Sequence, residues 1–220
     1  ACFAVPSPFP KENLLVVRED VNTRYAAREA SLPVITERIR QMMEIHPGHY
    51  IVFFPSFAYM EAAAEALGPE CGVRVQKRGM TIAEREAFVA AYLEDPEPIT
   101  SLCVMGGVFS EGIDLPGEAL DGVMIVGVGL PQVNIFQQTL KEHYDATLGN
   151  GFHYAYQIPG MQKVAQAAGR VIRTETDRGV VLLMDDRYGQ SEYARLCPPH
   201  WRVEHGNAAE RMRHFWDTQK

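Results

Sequence analysis

The chain has 220 residues, of which 46% are hydrophobic and 22% charged, and a formal net charge of −7. This balance excludes disordered and fibrous chains and fits one large α/β domain or two small ones. No apolar run approaches the ~18 residues of a membrane span, and no basic region precedes the first apolar stretch, so the expectation is a cytoplasmic or nuclear protein with no membrane partner.

The first ten residues carry Pro6, Pro8 and Pro10, and residues 1–20 read as a linker from a preceding domain into one that fills 21–220. Residues 14–17 are a weak strand candidate. A helix is expected over 32–45, with Ser31 as N-cap and Pro33 in the first turn. The run YIVFF (50–54) reads as a strand, and a helix over 57–67 follows Ser56 and stops at Gly68. After a weak strand at 73–75, Thr81-Ile82-Ala83-Glu84 opens a helix over 81–93 as a capping box. Further strands fall at 101–105 (SLCVM), 122–128 (GVMIVGV) and 179–184 (GVVLLM), with helices at 161–173 and 208–216. The strand runs are short and apolar on both alternations, as in strands covered on both faces. Strands alternating with helices imply right-handed crossovers and a parallel sheet flanked by helices on both faces.

Cys2, Cys71, Cys103 and Cys197 are scattered, with no CxxC pair and no histidine at metal-ligand spacing. Neither a zinc site nor a disulfide framework is expected, and Cys103 reads as core. The acidic balance argues against a free-standing nucleic-acid binder, yet permits a groove that touches a strand through a few polar groups.

Parallel sheets bind ligands at the carboxyl ends of their strands, and three segments are expected there. After the 50–54 strand comes Ser56, flanked by Phe57 and Tyr59. A hydroxyl at a helix N-terminus can meet a phosphate and aromatics can stack on bases, or the serine merely caps the helix and the aromatics fill the core. After the 101–105 strand comes GGVFSEGIDLPG, in which Gly106 and Gly107 permit close backbone approach. Glu111 and Asp114 there suit sugar hydroxyls, water or a facing arginine, or the loop is a solvated turn. The third is QAAGRVIR, where Gln166, Arg170 and Arg173 at i, i+4 and i+7 would share one helix face. Guanidiniums suit phosphate, or they pair with Glu175 or Asp177.

In this order, FFPSF, GGVFSEGIDLPG and QAAGRVIR resemble motifs IV, V and VI of the DinG/XPD branch of superfamily 2 helicases, with the likeness running from about residue 32 to about 196. The resemblance implies a second RecA-like motor domain, inactive by itself, working with a first RecA-like domain of the same, monomeric protein on single-stranded DNA, in the 5′→3′ direction. It places Ser56, Phe57, Tyr59, Gly107, Phe109 and Ser110 at the DNA. It places Glu111, Gly112 and Asp114 at the nucleotide, and Gln166, Arg170 and Arg173 in catalysis. Mg·ATP would be held mainly by the first domain, since GxxxxGK[ST] does not occur here. The family's iron–sulfur cysteines belong to that first half, and the four cysteines here are not that cluster. Asp185 and Asp186 mimic a magnesium-binding strand end but read as a structural one, so no metal ligand is assigned. Two rivals remain: a RecA-like docking platform without catalysis, and an unrelated enzyme using Glu111 and Asp114 as an acid/base pair.

Overall fold

The computed structural model describes residues 8–95, 97–107, 109 and 120–218. Seven strands form one parallel sheet in the order β3-β4-β2-β5-β6-β1-β7. They are β1 (Leu14–Glu19), β2 (Tyr50–Phe54), β3 (Arg74–Val75), β4 (Thr100–Val104), β5 (Gly122–Val126), β6 (Gly179–Met184) and β7 (Val203–His205). The helices are α1 (Arg28–Ile45), α2 (Phe57–Leu67), α3 (Ile82–Glu94), α4 (Ile135–Leu148), α5 (Ile158–Ala168), α6 (Ser191–Ala194) and α7 (Ala208–Asp217).

Every residue of β2, β5 and β6 is buried, so both faces of the sheet need a helical layer. Alternation along the strands divides the core in two. Tyr50, Val52 and Phe54 meet α1, α2 and α7, whereas Ile51 and Phe53 meet α3 and α5. Among the described residues no helix is long and apolar enough to cross a membrane.

Several boundaries differ from expectation. Leu14–Glu19 pairs with β6 on one side and β7 on the other, so the last part of the stretch read as linker belongs to the sheet. The prolines end at Pro10, and the apolar run after them is long enough to join the sheet. Helix α1 opens at Arg28, so Ser31 is no N-cap. It sits inside the first turn, donates to the Arg28 carbonyl at 2.7 Å and pairs with the Tyr59 hydroxyl. The capping box of α3 forms as read, with Thr81 N donating to Glu84 Oε2 at 2.7 Å and Glu84 N to Thr81 Oγ1 at 3.3 Å.

Helix α4 escapes a reading by periodicity because only Gln137 is buried along it. A π-helical turn, His153–Gln157, joins its side of the chain to α5. Pro159 has no N–H to offer the Ala155 carbonyl four residues back. The Gln137 amide donates to that carbonyl instead, tying α4 to the turn. Helix α5 then starts hard against the loop after β5. A Cβ on Gly129, whose φ is +64°, would lie 2.6 Å from the Gly160 carbonyl oxygen, so glycine is needed there for backbone conformation and contact alike.

Glu19, at the end of β1, is buried against Arg38 of α1. Arg38 Nε donates to Oε2 at 3.1 Å and Nη2 reaches Oε1 at 2.9 Å, while Ala208 N, at the start of α7, donates to Oε1 at 2.6 Å. Glu19→Ala is expected to cost about 3–5 kcal/mol in urea unfolding, because Arg38 is left buried without its partner. Burial pushes the Cys103 thiol well above the ordinary range, further than Cys71 or Cys197. An alkylating reagent should therefore label Cys71 and Cys197 in the native protein and reach Cys103 only on unfolding, as peptide mass mapping would report.

Candidate functional site

Two opposite edges of the sheet carry the residues singled out from the sequence. At the carboxyl edge, Ser56 caps α2, its hydroxyl accepting from Tyr59 N at 3.4 Å. The same oxygen accepts from Arg28 Nη1 at 3.2 Å. The capping alternative read for Ser56 is thus the one the hydrogen bonds show, with Arg28 as a second partner. Phe57 is half-buried, with the Arg78 guanidinium 4.4 Å from its ring centre. Arg78 is itself paired with Glu61 at 3.1 Å.

Tyr59 and Phe109 were both expected at the DNA, Tyr59 with the alternative of filling the core, and both rings are buried. Tyr59 is 3% exposed, packed edge-on against Phe54 and bonded through its hydroxyl to Ser31. Phe109 is 1% exposed and packs on Phe88 with ring centres 4.6 Å apart. The helical layers need large apolar groups beneath them, and these two rings supply it. Gly106 turns the chain at the end of β4 with φ +76°, and Gly107 N donates to the Val104 carbonyl at 3.3 Å. The buried Gln76 holds this strand end, its amide oxygen accepting from Val104 N at 2.7 Å. Ser110, Glu111, Gly112 and Asp114 lie outside the described residues.

Beyond β6, Asp185 is fully buried. Arg187 donates to it through Nε and Nη2, both at 2.8 Å, and Thr23 adds its hydroxyl. The carboxylate that mimics a magnesium ligand is thus held by a cation and a hydroxyl from the β1–α1 connection. Beside it, Arg24 donates to both oxygens of Asp186 at 2.8 Å and holds that carboxyl below its usual range.

The arginine segment lies at the other edge. Helix α5 stops at Ala168, with Gly169 as its C-cap, so Gln166 stands on the last helical turn while Arg170 and Arg173 stand beyond it. The single helix face expected for the three residues does not form. Nor does the segment lie at the carboxyl edge. A Cβ on Gly179, the first residue of β6, would strike Val171 and come 2.7 Å from the Asp121 carbonyl oxygen, just ahead of β5. The physical reason is the crossover: α5 carries the chain from the carboxyl edge of β5 back to the amino edge, where β6 must begin.

The turn is fixed by Asp177, which is buried. Its Oδ2 accepts from Arg173 N at 2.6 Å and from Thr174 N at 2.8 Å, and its Oδ1 from the Thr174 hydroxyl at 2.5 Å. Arg170 and Arg173 are half-buried and Gln166 is exposed. Asp177 thus fixes the backbone at Arg173, while Arg170 N donates to the Ala167 carbonyl at 3.4 Å.

The sequence reading passed over Tyr25 and Arg28. Arg28 lies 5.3 Å from the Tyr25 ring centre and 5.2 Å from that of Tyr59. The signal available was Arg24-Tyr25 followed by Arg28, two cations four apart around an aromatic, in a stretch without apolar periodicity.

The family model described as "Helicase C-terminal domain" matches residues 39–204. A protein of Methanocaldococcus jannaschii named "Probable ATP-dependent helicase" is 27% identical over 201 residues, covering 83% of this chain and 30% of that protein. The ATP-dependent helicase DinG of Mycobacterium tuberculosis is 28% identical over 210 residues, covering 90% of this chain and 30% of its own length. The chain thus spans about 30% of the length of these curated relatives. An apo XPD structure superposes with a TM-score of 0.72 at 18% identity, covering 88% of this chain and 40% of that one, a likeness of RecA-like fold. The matched stretch encloses Ser56, the β4 loop and the arginine turn alike, and the chain belongs to the helicase C-terminal domain family, on its DinG/XPD-like side.

Proposed function

We propose that this chain is the second motor domain of an ATP-dependent DNA helicase, contributing Arg170 and Arg173 to a nucleotide held mainly by a first RecA-like domain. The observation that carries the reading is the arginine turn: half-buried Arg170 just past the end of α5 and half-buried Arg173, whose backbone Asp177 clamps, within the stretch matched by the helicase family. Such a turn fits a polyphosphate presented by a facing domain. Bound there, Mg·ATP supplies the phosphoryl group whose hydrolysis drives movement.

The role of this chain is electrostatic. Arg170 and Arg173 neutralise charge developing on the transferred group, an effect of about 10³–10⁵ in rate for arginine fingers. Gln166, one turn earlier on α5, orients the polar groups around them. At the carboxyl edge Ser56, Phe57 and the Gly107 turn meet the DNA backbone. Strands of five and six residues hold the two edges about 17–20 Å apart. A domain closing on nucleotide at one edge therefore moves a strand gripped at the other. The family likeness gives 5′→3′ as the direction of travel.

In the full-length protein, Arg170→Ala is expected to lower DNA-stimulated ATP hydrolysis by about 10³-fold or more while oligonucleotide affinity and melting temperature stay close to the unmodified protein's. Ser56→Ala is expected to weaken single-strand binding and blunt the stimulation by DNA. Steady-state ATPase assays with and without oligonucleotide measure both. Undiminished hydrolysis by Arg170→Ala would overturn the motor reading in favour of a docking platform.

A further inference from the structure

Arg28 stands at the carboxyl edge, where α1 opens beside Ser56. Arg18, Arg24, Arg38, Arg78, Arg187 and Arg211 each pair with an acidic side chain. Arg28 has no carboxylate partner among the described residues. Its Nη1 donates to Ser56 Oγ at 3.2 Å, and its Nε is buried without a hydrogen-bond partner among them. A guanidinium carries five N–H donors, so most of its capacity is left for something else.

What surrounds Arg28 suits a nucleotide. The residue opens α1, an 18-residue helix with no side-chain cap, and it touches Ser56, which opens the 11-residue α2. Two helix N-termini therefore meet at one guanidinium, and both favour negative charge. Beside them stands Tyr25, 86% exposed, the Arg28 guanidinium carbon 5.3 Å from its ring centre. An aromatic ring this open, with a cation on one side, can receive a flat apolar partner on the other. Tyr59 backs the guanidinium from the core side at 5.2 Å.

We propose that Tyr25, Arg28 and Ser56 form a seat for one nucleotide of single-stranded DNA. The phosphodiester lies against Arg28, Ser56 and the first N–H groups of α1 and α2. The base stacks on the open face of Tyr25. The seat takes any base, since every base has a π face, and it rejects duplex, whose bases are already stacked and paired. It replaces the stacking that the buried Tyr59 and Phe109 cannot provide. The inference rests on the motor reading above and adds the residues that hold the strand.

The test uses the full-length protein, fluorescence anisotropy, and two labelled strands of equal length: oligothymidylate and an abasic phosphodiester. Tyr25→Ala should weaken oligothymidylate binding by roughly 5- to 100-fold and leave the abasic strand unaffected, while Tyr25→Phe retains affinity. Arg28→Ala should weaken both strands and lower the salt dependence, the slope of log K against log salt, by about 0.7. Because the Tyr25 ring is exposed, its removal opens no cavity, and an unchanged melting temperature confirms that the fold is retained. Equal binding of both strands by Tyr25→Ala and the unmodified protein would overturn the seat. Loss of that seat with an intact, Arg170-dependent ATPase would leave the motor reading standing. Absence of DNA-stimulated hydrolysis and of single-strand binding in the unmodified protein would remove both.

Discussion

The burial of β2, β5 and β6 along their whole lengths is the condition from which the rest follows. Strands without a wet face must be covered twice, and each covering helix must run antiparallel to the strands it joins. Chemistry is thereby confined to the two ends of the strands. The ends are not electrically alike. Helices α1 and α2 begin at the carboxyl edge and present free N–H groups there, whereas α5 ends at the amino edge and presents carbonyls. Anions are favoured at the first edge and cations at the second. Arg170 and Arg173, just past the end of α5, stand where the helix dipole supports positive charge even before a ligand arrives.

The carboxyl edge is braced by charges withdrawn from water. Asp185 with Arg187 and Thr23 ties the end of β6 to the segment before α1, and Glu19 with Arg38 ties β1 to α1 and α7. Buried ion pairs add little net stability over apolar packing of the same shape, but they tolerate few alternative arrangements. Their effect is to fix how the α1 start and the strand ends are set against one another. Those are the elements that carry Arg28 and Ser56.

Much of this was legible in the sequence because it depends on local signals. The strands at 50–54 and 179–184 appear with the bounds expected from their apolar runs, and Thr81 with Glu84 forms the capping box its spacing implies. The arginine segment was misplaced for a non-local reason. The i, i+4, i+7 spacing of Gln166, Arg170 and Arg173 holds only if the helix continues, and Gly169 with the Asp177 clamp ends it. Which edge it reaches depends on counting crossovers, not on residue type. The burial of Tyr59 was one of two readings left open, since an aromatic near a strand end serves core or ligand with the same local pattern, and that of Phe109 was not foreseen. Tyr25 and Arg28 were overlooked because an exposed ring and a half-buried cation at the start of a helix leave no periodicity to detect.

The strand order carries a consequence for how the chain assembles. Leu14 of β1 pairs with Gly179 of β6 and Val16 with Val203 of β7, so the first strand of this domain is held between its last two. During synthesis β2, β4 and β5 can form their sheet while β1 has no neighbour to join. Closing a loop of that length costs entropy before the contacts it allows repay it, which slows folding. The apolar run of β1 is thus the segment longest exposed to wrong pairing, and its insertion completes the sheet.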